Sequence, residues 1–282
     1  MSATTSSQLA AIKAFRAMHE SGCFVLPNPW DIGTARYLQH LGFKALATTS
    51  GGFAFSRGLP DVAAAIGIEE MLTHIRELVA ATSLPVNADF QNGYAVDPEG
   101  VEANVKLCIA TGVAGLSIED ATGTPGTPLY DAPLAIDRVK GARSAIDGSG
   151  MPVVLTARCE AWLVGQTDPL RMALERLVAF AEAGADCLYA PGVWKPNEIA
   201  AIVKAVSPKP VNVLVFGPDP ELSVSRLTDL GVRRISLGSS LARAAWGGFL
   251  RTAQSIAETG SFATLADAAR FSDLDDVFNR RA

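Results

Sequence analysis

The chain reads as a single-domain α/β protein, a closed (β/α)8 TIM barrel, and three observations carry that expectation. Short continuous apolar runs recur at helix-sized intervals, as expected of parallel strands covered on both faces. Three expected helices end in near-identical glycine turns, at Gly112, Gly184 and Gly231, each a C-cap that returns the chain quickly to a strand. Polar residues collect at the C-terminal ends of successive strands, where such a barrel builds its active site. Eight units fit 282 residues without a linker or a break in composition.

The elements follow in order. Residues 1–10 are expected to be a flexible start and 11–258 the barrel, with 259–282 a C-terminal helical extension. A helix over 11–20 stops at Gly22, and the first strand is Phe24 to Asn28. Asp31 then serves as N-cap for a helix to about Leu41. Ala45 to Ser50 is the second strand, closed by Gly51-Gly52. Residues 53–67 carry no periodicity and read as a loop, followed by a helix over Glu69 to Ala81. Strands at 85–90, 115–119, 153–157, 187–190, 211–215 and 234–237 alternate with helices, several opened by proline (Pro98, Pro196). A Gly/Thr/Pro-rich loop fills 121–131, and helical stretches at 240–257 and 263–280 close the chain.

Composition narrows the function. A net charge of −5, with no Lys/Arg cluster, argues against a nucleic-acid partner. No apolar run is long enough to span a bilayer, and no basic segment followed by an apolar one opens the chain. Cys23, Cys108, Cys159 and Cys187 form no Cys-x-x-Cys pair and read as packed thiols. A cytoplasmic, reduced protein is expected. Charged residues make up only 19%, below the usual quarter, which favours a homo-oligomer.

Chemistry is concentrated at the strand ends. All three histidines (His19, His40, His74) fall on expected helices, which removes His-based nucleophile pairs and His-ligated metals. Asp89 ends the third strand and Glu119 the fourth. Two carboxylates on neighbouring strands suit Mg2+, whereas one alone reads first as a cap of the following turn. Arg158 ends the fifth strand, as a clamp for a carboxylate or enolate oxygen or as the ion-pair partner of Glu119 or Glu160. Ser50-Gly51-Gly52 offers backbone N–H groups and a hydroxyl to an anion, or simply marks a turn. Asn212, inside an apolar strand, needs a buried partner by default and can touch substrate second.

Taken together, Asn28-Pro29-Trp30-Asp31, Thr49-Ser50-Gly51-Gly52, Leu59-Pro60-Asp61, Ala88-Asp89, Gly93-Tyr94, Ile118-Glu119-Asp120, Ala157-Arg158 and Val211-Asn212 resemble the isocitrate lyase/phosphoenolpyruvate mutase superfamily over residues 20–250. The resemblance implies a dimer or tetramer whose last helix is exchanged between subunits. It implies Mg2+ or Mn2+ held directly at Asp89 and through water at Asp61, Gln91 and Glu119. It further implies a 2-oxo acid or dicarboxylate substrate at Ser50, Gly51, Gly52, Arg158, Asn212 and Trp30, with Arg158, Asp61 and Glu119 carrying the catalysis.

Two departures matter. Gln91 stands where the superfamily carries a second acid, and the loop from Asp120 to Asp131 lacks the Lys-Cys-Gly-His motif of isocitrate and methylisocitrate lyases. The expected activity is therefore a metal-dependent C–C lyase of the oxaloacetate-decarboxylase type, acting through an enolate, with Tyr130 or a metal-bound water as proton source. Thr122, Thr124 and Tyr130 are expected on a lid. The alternatives are a phosphonomutase acting on a C–P bond and a catalytically lapsed 2-oxo-acid binder.

Overall fold

A computed structural model of the chain describes residues 3–63 and 65–279. Met1 and Ser2 of the expected flexible start, residue 64 of the expected loop and residues 280–282 of the expected extension lie outside the described residues. Eight strands form the barrel: β1 (Phe24–Leu26), β2 (Leu46–Ala47), β3 (Val86–Asp89), β4 (Gly115–Glu119), β5 (Val154–Arg158), β6 (Cys187–Tyr189), β7 (Val211–Leu214) and β8 (Arg234–Ser236). From β2 to β8 each strand is parallel to its neighbour, and β8 pairs with β1. The β1–β2 seam closes where the Ala47 N–H donates to the Pro27 carbonyl at 3.0 Å and the Asn28 side-chain amide donates to the Thr48 carbonyl at 2.8 Å.

The strands are buried apolar runs because helices cover their outer faces. These are α1 (Ala3–Met18), α2 (Ile32–His40), α3 (Ser50–Ser56), α4 (Ile68–Ala81), α5 (Pro98–Ile109), α6 (Ala132–Ser149), α7 (Pro169–Glu182), α8 (Pro196–Val206), α9 (Val224–Asp229), α10 (Ser240–Thr259) and α11 (Phe271–Phe278). Local chemistry fixes their starts. Asp31 caps α2 in a capping box with Thr34. Asp97 and Asp168 cap α5 and α7, each followed by a proline whose missing N–H costs nothing in the first turn.

Three expectations are corrected. The first helix starts at Ala3 rather than at residue 11, so an ordered helix replaces most of the expected flexible start. Ser50-Gly51-Gly52 is not a closing turn but the first turn of α3, because Thr49 Oγ1 accepts the Gly52 N–H and caps a helix too short to show periodicity. The expected helix over 263–280 breaks into a 3-10 turn (Ala263–Asp267) and α11.

α1 plugs the end of the barrel where the strands begin. Phe15 is fully buried there, and a Cβ on Gly115 would lie 2.6 Å from its ring. His19 follows α1 and packs edge-on against Phe15 and Phe24. At the other extremity, α11 packs on α2 within the same chain, leaving Phe271 88% exposed. No helix among the described residues is long and apolar enough to cross a membrane.

Candidate active site

Strand register brings the polar residues together. Glu119 pairs with Arg158, Arg158 with Tyr189, Tyr189 with Asn212, and Asn212 with Arg234, so one row of chemically active side chains runs around half the barrel interior. Above it opens a cavity of about 240 Å³ lined, among others, by Ser50, Gly51, Asp61, Asp89, Arg158 and Tyr189. It is smaller than the roughly 300–1,000 Å³ clefts that hold drug-sized ligands, and its scale suits a small acid.

Arg158 is the centre of this site. Its guanidinium meets Asp89 at 2.7 Å, Glu160 at 2.8 Å and Glu119 at 3.2 Å. The two ion-pair readings and the clamp reading are thus not exclusive, since one planar fork serves three carboxylates. Asp89 is held from the other side by Ser50, whose N–H and hydroxyl both donate to Oδ2 at 2.9 and 2.8 Å. Its own N–H donates to Thr48 Oγ1 at 2.9 Å. A carboxylate offers about four lone-pair sites; three are filled, and one remains for a further partner.

Asp61 completes the acid cluster. It comes from the loop after α3 and lies against Gly51, where any Cβ would collide with its Oδ2. Glycine at 51 is therefore a requirement of close approach rather than of a turn. The electrostatics are strained. Burial pushes the Asp61 carboxyl upward and Asp89 adds to it, with Arg158 opposing. Burial likewise raises Glu119, where Arg158 pulls downward and Glu160 and Asp89 push up again. For Arg158, burial disfavours the charge, but Glu160, Glu119 and Asp89 together reverse that and hold the guanidinium firmly protonated.

The other expected site residues are placed differently. Gly52 packs against Thr49, Trp30 and Ala242, and Trp30 lines an outer groove with Trp246 and Phe249 rather than the cavity. Glu119 stands behind Arg158, outside the cavity wall. Gln91 sits just past β3 with φ 45°, a left-handed conformation uncommon for glutamine, and its carbonyl accepts the Glu119 N–H at 3.0 Å. Asn212 lines the cavity while bonded to Arg234 and Ser236.

Tyr130 is corrected as a candidate proton source: it is buried beneath the Arg138 guanidinium, 3.9 Å from its ring centroid, and away from the cavity. The loop carrying it is pinned by an Ala121–Leu129 bridge. Phe53 stacks on the His74 ring, 3.7 Å between centroids. Sequence reasoning missed Tyr189, Arg234 and Ser236. Their signal was a polar side chain at alternate positions of Cys187-Leu188-Tyr189 and Arg234-Ile235-Ser236, the inward-facing parity of a strand.

A barrel whose mouth presents an arginine ringed by carboxylates defines an enzyme site of the acid-and-guanidinium kind. The chain belongs to the phosphoenolpyruvate mutase family, within the isocitrate lyase/phosphoenolpyruvate mutase superfamily of lyases and mutases: the family profile described as phosphoenolpyruvate phosphomutase matches residues 15–257. It is similar to a crystal structure from Burkholderia cenocepacia J2315 described as a candidate lyase or mutase, with 46% identity, 97% of each chain covered and a TM-score of 0.92. Escherichia coli (strain K12) 2-methylisocitrate lyase is 32% identical over 76% of this chain and 74% of its own. Oxaloacetate decarboxylase of Rhodopseudomonas palustris (strain BisB5) is 30% identical over 74% and 72%.

Proposed function

We propose that the protein is a divalent-metal-dependent lyase that cleaves the C–C bond next to a 2-oxo acid, of the oxaloacetate-decarboxylase type. The observation that carries the reading is the cavity wall: it holds Asp61, Asp89 and Arg158 but, among the described residues, no His, Lys or Cys. Decarboxylation needs a sink for an electron pair more than it needs a strong base. The loop from Asp120 to Asp131, free of Lys, Cys and His, argues against the methylisocitrate lyase reaction despite the similarity to that enzyme.

The donor set fits a hard cation such as Mg2+ or Mn2+. It is all oxygen, it carries more acid than Arg158 can neutralise, and Asp89 keeps one lone-pair site open. No group of three or more His, Cys, Asp or Glu among the described residues is placed to hold a metal jointly. The reading keeps a single direct ligand, Asp89, with Asp61, Gln91 and Glu119 acting through water, as the resemblance implies. When bound, the cation supplies Lewis-acid stabilisation of an enolate oxygen. Arg158 orients the substrate carboxylate, Ser50 fixes Asp89, and Gly51 allows Asp61 to close on the site.

We further read the functional unit as a homodimer or homotetramer, with the exposed apolar side chains of α10 and α11 (Phe249, Leu250, Phe271) as the contact surface. The runner-up is a phosphonomutase, favoured by the family profile. The test is a substrate screen with Mg2+. CO2 release from oxaloacetate supports the lyase and rearrangement of a phosphonate supports the mutase. Oxalate binding that ignores a chelator, without turnover of either, makes the protein a lapsed binder.

A further inference from the structure

Arg234 is 2% exposed at the barrel centre, and among the described residues it has no carboxylate partner. An unpaired buried cation is costly unless its hydrogens are used. Its Nε donates to Asn212 Oδ1 at 2.8 Å, one terminal nitrogen donates to Thr156 Oγ1 at 3.0 Å, and the other meets the His19 ring at 3.3 Å. An arginine can only donate, so the Asn212 oxygen must face it and the Asn212 amide nitrogen must face Ser236. That nitrogen donates to Ser236 Oγ at 2.9 Å.

The direction of the chain is therefore set from its head. Ser236 Oγ accepts from Asn212, and strand register sets Tyr189 beside Asn212, with all three side chains lining the cavity. Tyr189 is buried and lines the cavity beside Arg158, whose guanidinium carbon lies 5.1 Å from its ring centroid. No other phenol lines that cavity among the described residues.

We propose that Tyr189 is the acid that protonates the enolate carbon, and that Arg234, Asn212 and Ser236 are positioning residues that fix the cavity wall beside it. This rests on the lyase reading above. The bond between C3 of the 2-oxo acid and the departing carboxyl carbon breaks, CO2 leaves, and the electron pair stays behind as the enolate. The Tyr189 O–H bond then breaks, its proton forms the new C–H bond at C3, and the phenolate recovers a proton from solvent water. Burial pushes the phenol up to about 12, so the proton is in place at neutral pH. Arg158 favours the phenolate left behind, with Glu160 opposing.

The test uses the full chain with Mg2+ in D2O and pyruvate as probe, with NMR reading exchange of the methyl hydrogens. This is the protonation step alone, run in both directions. Tyr189→Phe is expected to slow exchange about 100-fold, within the range for general acid–base groups, while oxalate affinity stays near wild type. Ser236→Ala is expected to slow exchange and Ser236→Thr to restore it. Wild-type exchange in Tyr189→Phe overturns the proposal, as does an oxalate affinity that falls in step with the exchange rate. If the wild type releases CO2 from oxaloacetate but exchanges nothing, the proposal fails and the lyase reading stands. If it does neither with any 2-oxo acid, both fail.

Discussion

Asp89→Asn separates the two jobs assigned to this carboxylate. The amide keeps one oxygen, which can still accept from the Ser50 N–H and hydroxyl now 2.9 and 2.8 Å away. Its nitrogen then faces the Arg158 nitrogen at 2.7 Å, so a charge-assisted bond becomes a donor–donor contact. Such a bond contributes roughly 1.5–3 kcal/mol. Against that, Asp61 loses a like-charged neighbour, and Arg158 keeps Glu119 and Glu160. The net cost is about 1–2 kcal/mol, or a few degrees in Tm for a chain of this size. The larger effect concerns cations. A ligand that binds only the folded wild type at 100 times its Kd adds about 2.7 kcal/mol, and the variant is expected to lose that increment. Thermal unfolding of both proteins in EDTA and across a Mg2+ titration measures each quantity. An equal Mg2+-induced Tm rise in wild type and variant would refute Asp89 as the direct ligand.

Further outcomes follow from the same geometry. Burial, with Arg57 adding, lowers His74 to about 4 from an ordinary 6.5, so it is neutral when folded and its contribution is complete above pH 6.5. As pH falls through 6.5 towards 4 the unfolded chain takes up the proton first, and about 3 kcal/mol is lost; His74→Phe, stacked on Phe53, should flatten that limb in urea melts measured from pH 7 to 4. Gly51→Ala should leave Tm nearly unchanged, helix propensity offsetting strain, but displace Asp61 and weaken oxalate binding in calorimetry with Mg2+. Gln91→Asp restores the missing acid at a left-handed position that aspartate tolerates. It should tighten Mg2+ binding, and unchanged affinity would show that position 91 does not reach the cation's water shell.

How much of this was legible in the sequence depends on the range of the forces involved. β3, β4 and β5 could be read directly, because a buried strand is a continuous apolar run and its polar end residue stands out. α3 could not. Its seven residues include two glycines, and what holds it is a Thr49 cap and burial of Phe53, both settled by tertiary packing. The start of α1 was hidden for a related reason: Thr4 to Gln8 look polar in isolation, yet Gln8 is held by the carbonyls of Ile109 and Val113, a hundred residues away. Asp89, Glu119 and Arg158 were found because each ends a strand. Tyr189 and Arg234 were not, because their importance lies in register, which pairs Arg158 with Tyr189 and Asn212 with Arg234 and which no local pattern states.

The charge arrangement imposes an order on ligand binding. Around Arg158 stand Asp89, Glu119 and Glu160 in direct contact, and Asp61 faces the same cavity. With every group ionised, these four acids outnumber the three arginines at the cavity, Arg158, Arg234 and Arg243, and burial first, then the neighbouring acids, push the carboxyls of Asp61, Glu119 and Glu160 upward. A 2-oxo acid is itself anionic, so it meets a more favourable field once a divalent cation has offset the acids. Coupling of this kind is reciprocal: oxalate should bind more tightly as Mg2+ is raised, and Mg2+ more tightly in the presence of oxalate, by the same factor. Arg234 is buried at the inner wall of the cavity, and its charge does not depend on whether a cation is bound at the mouth. The deeper half of the site is thus permanently suited to negative charge, while the outer half becomes more so on loading.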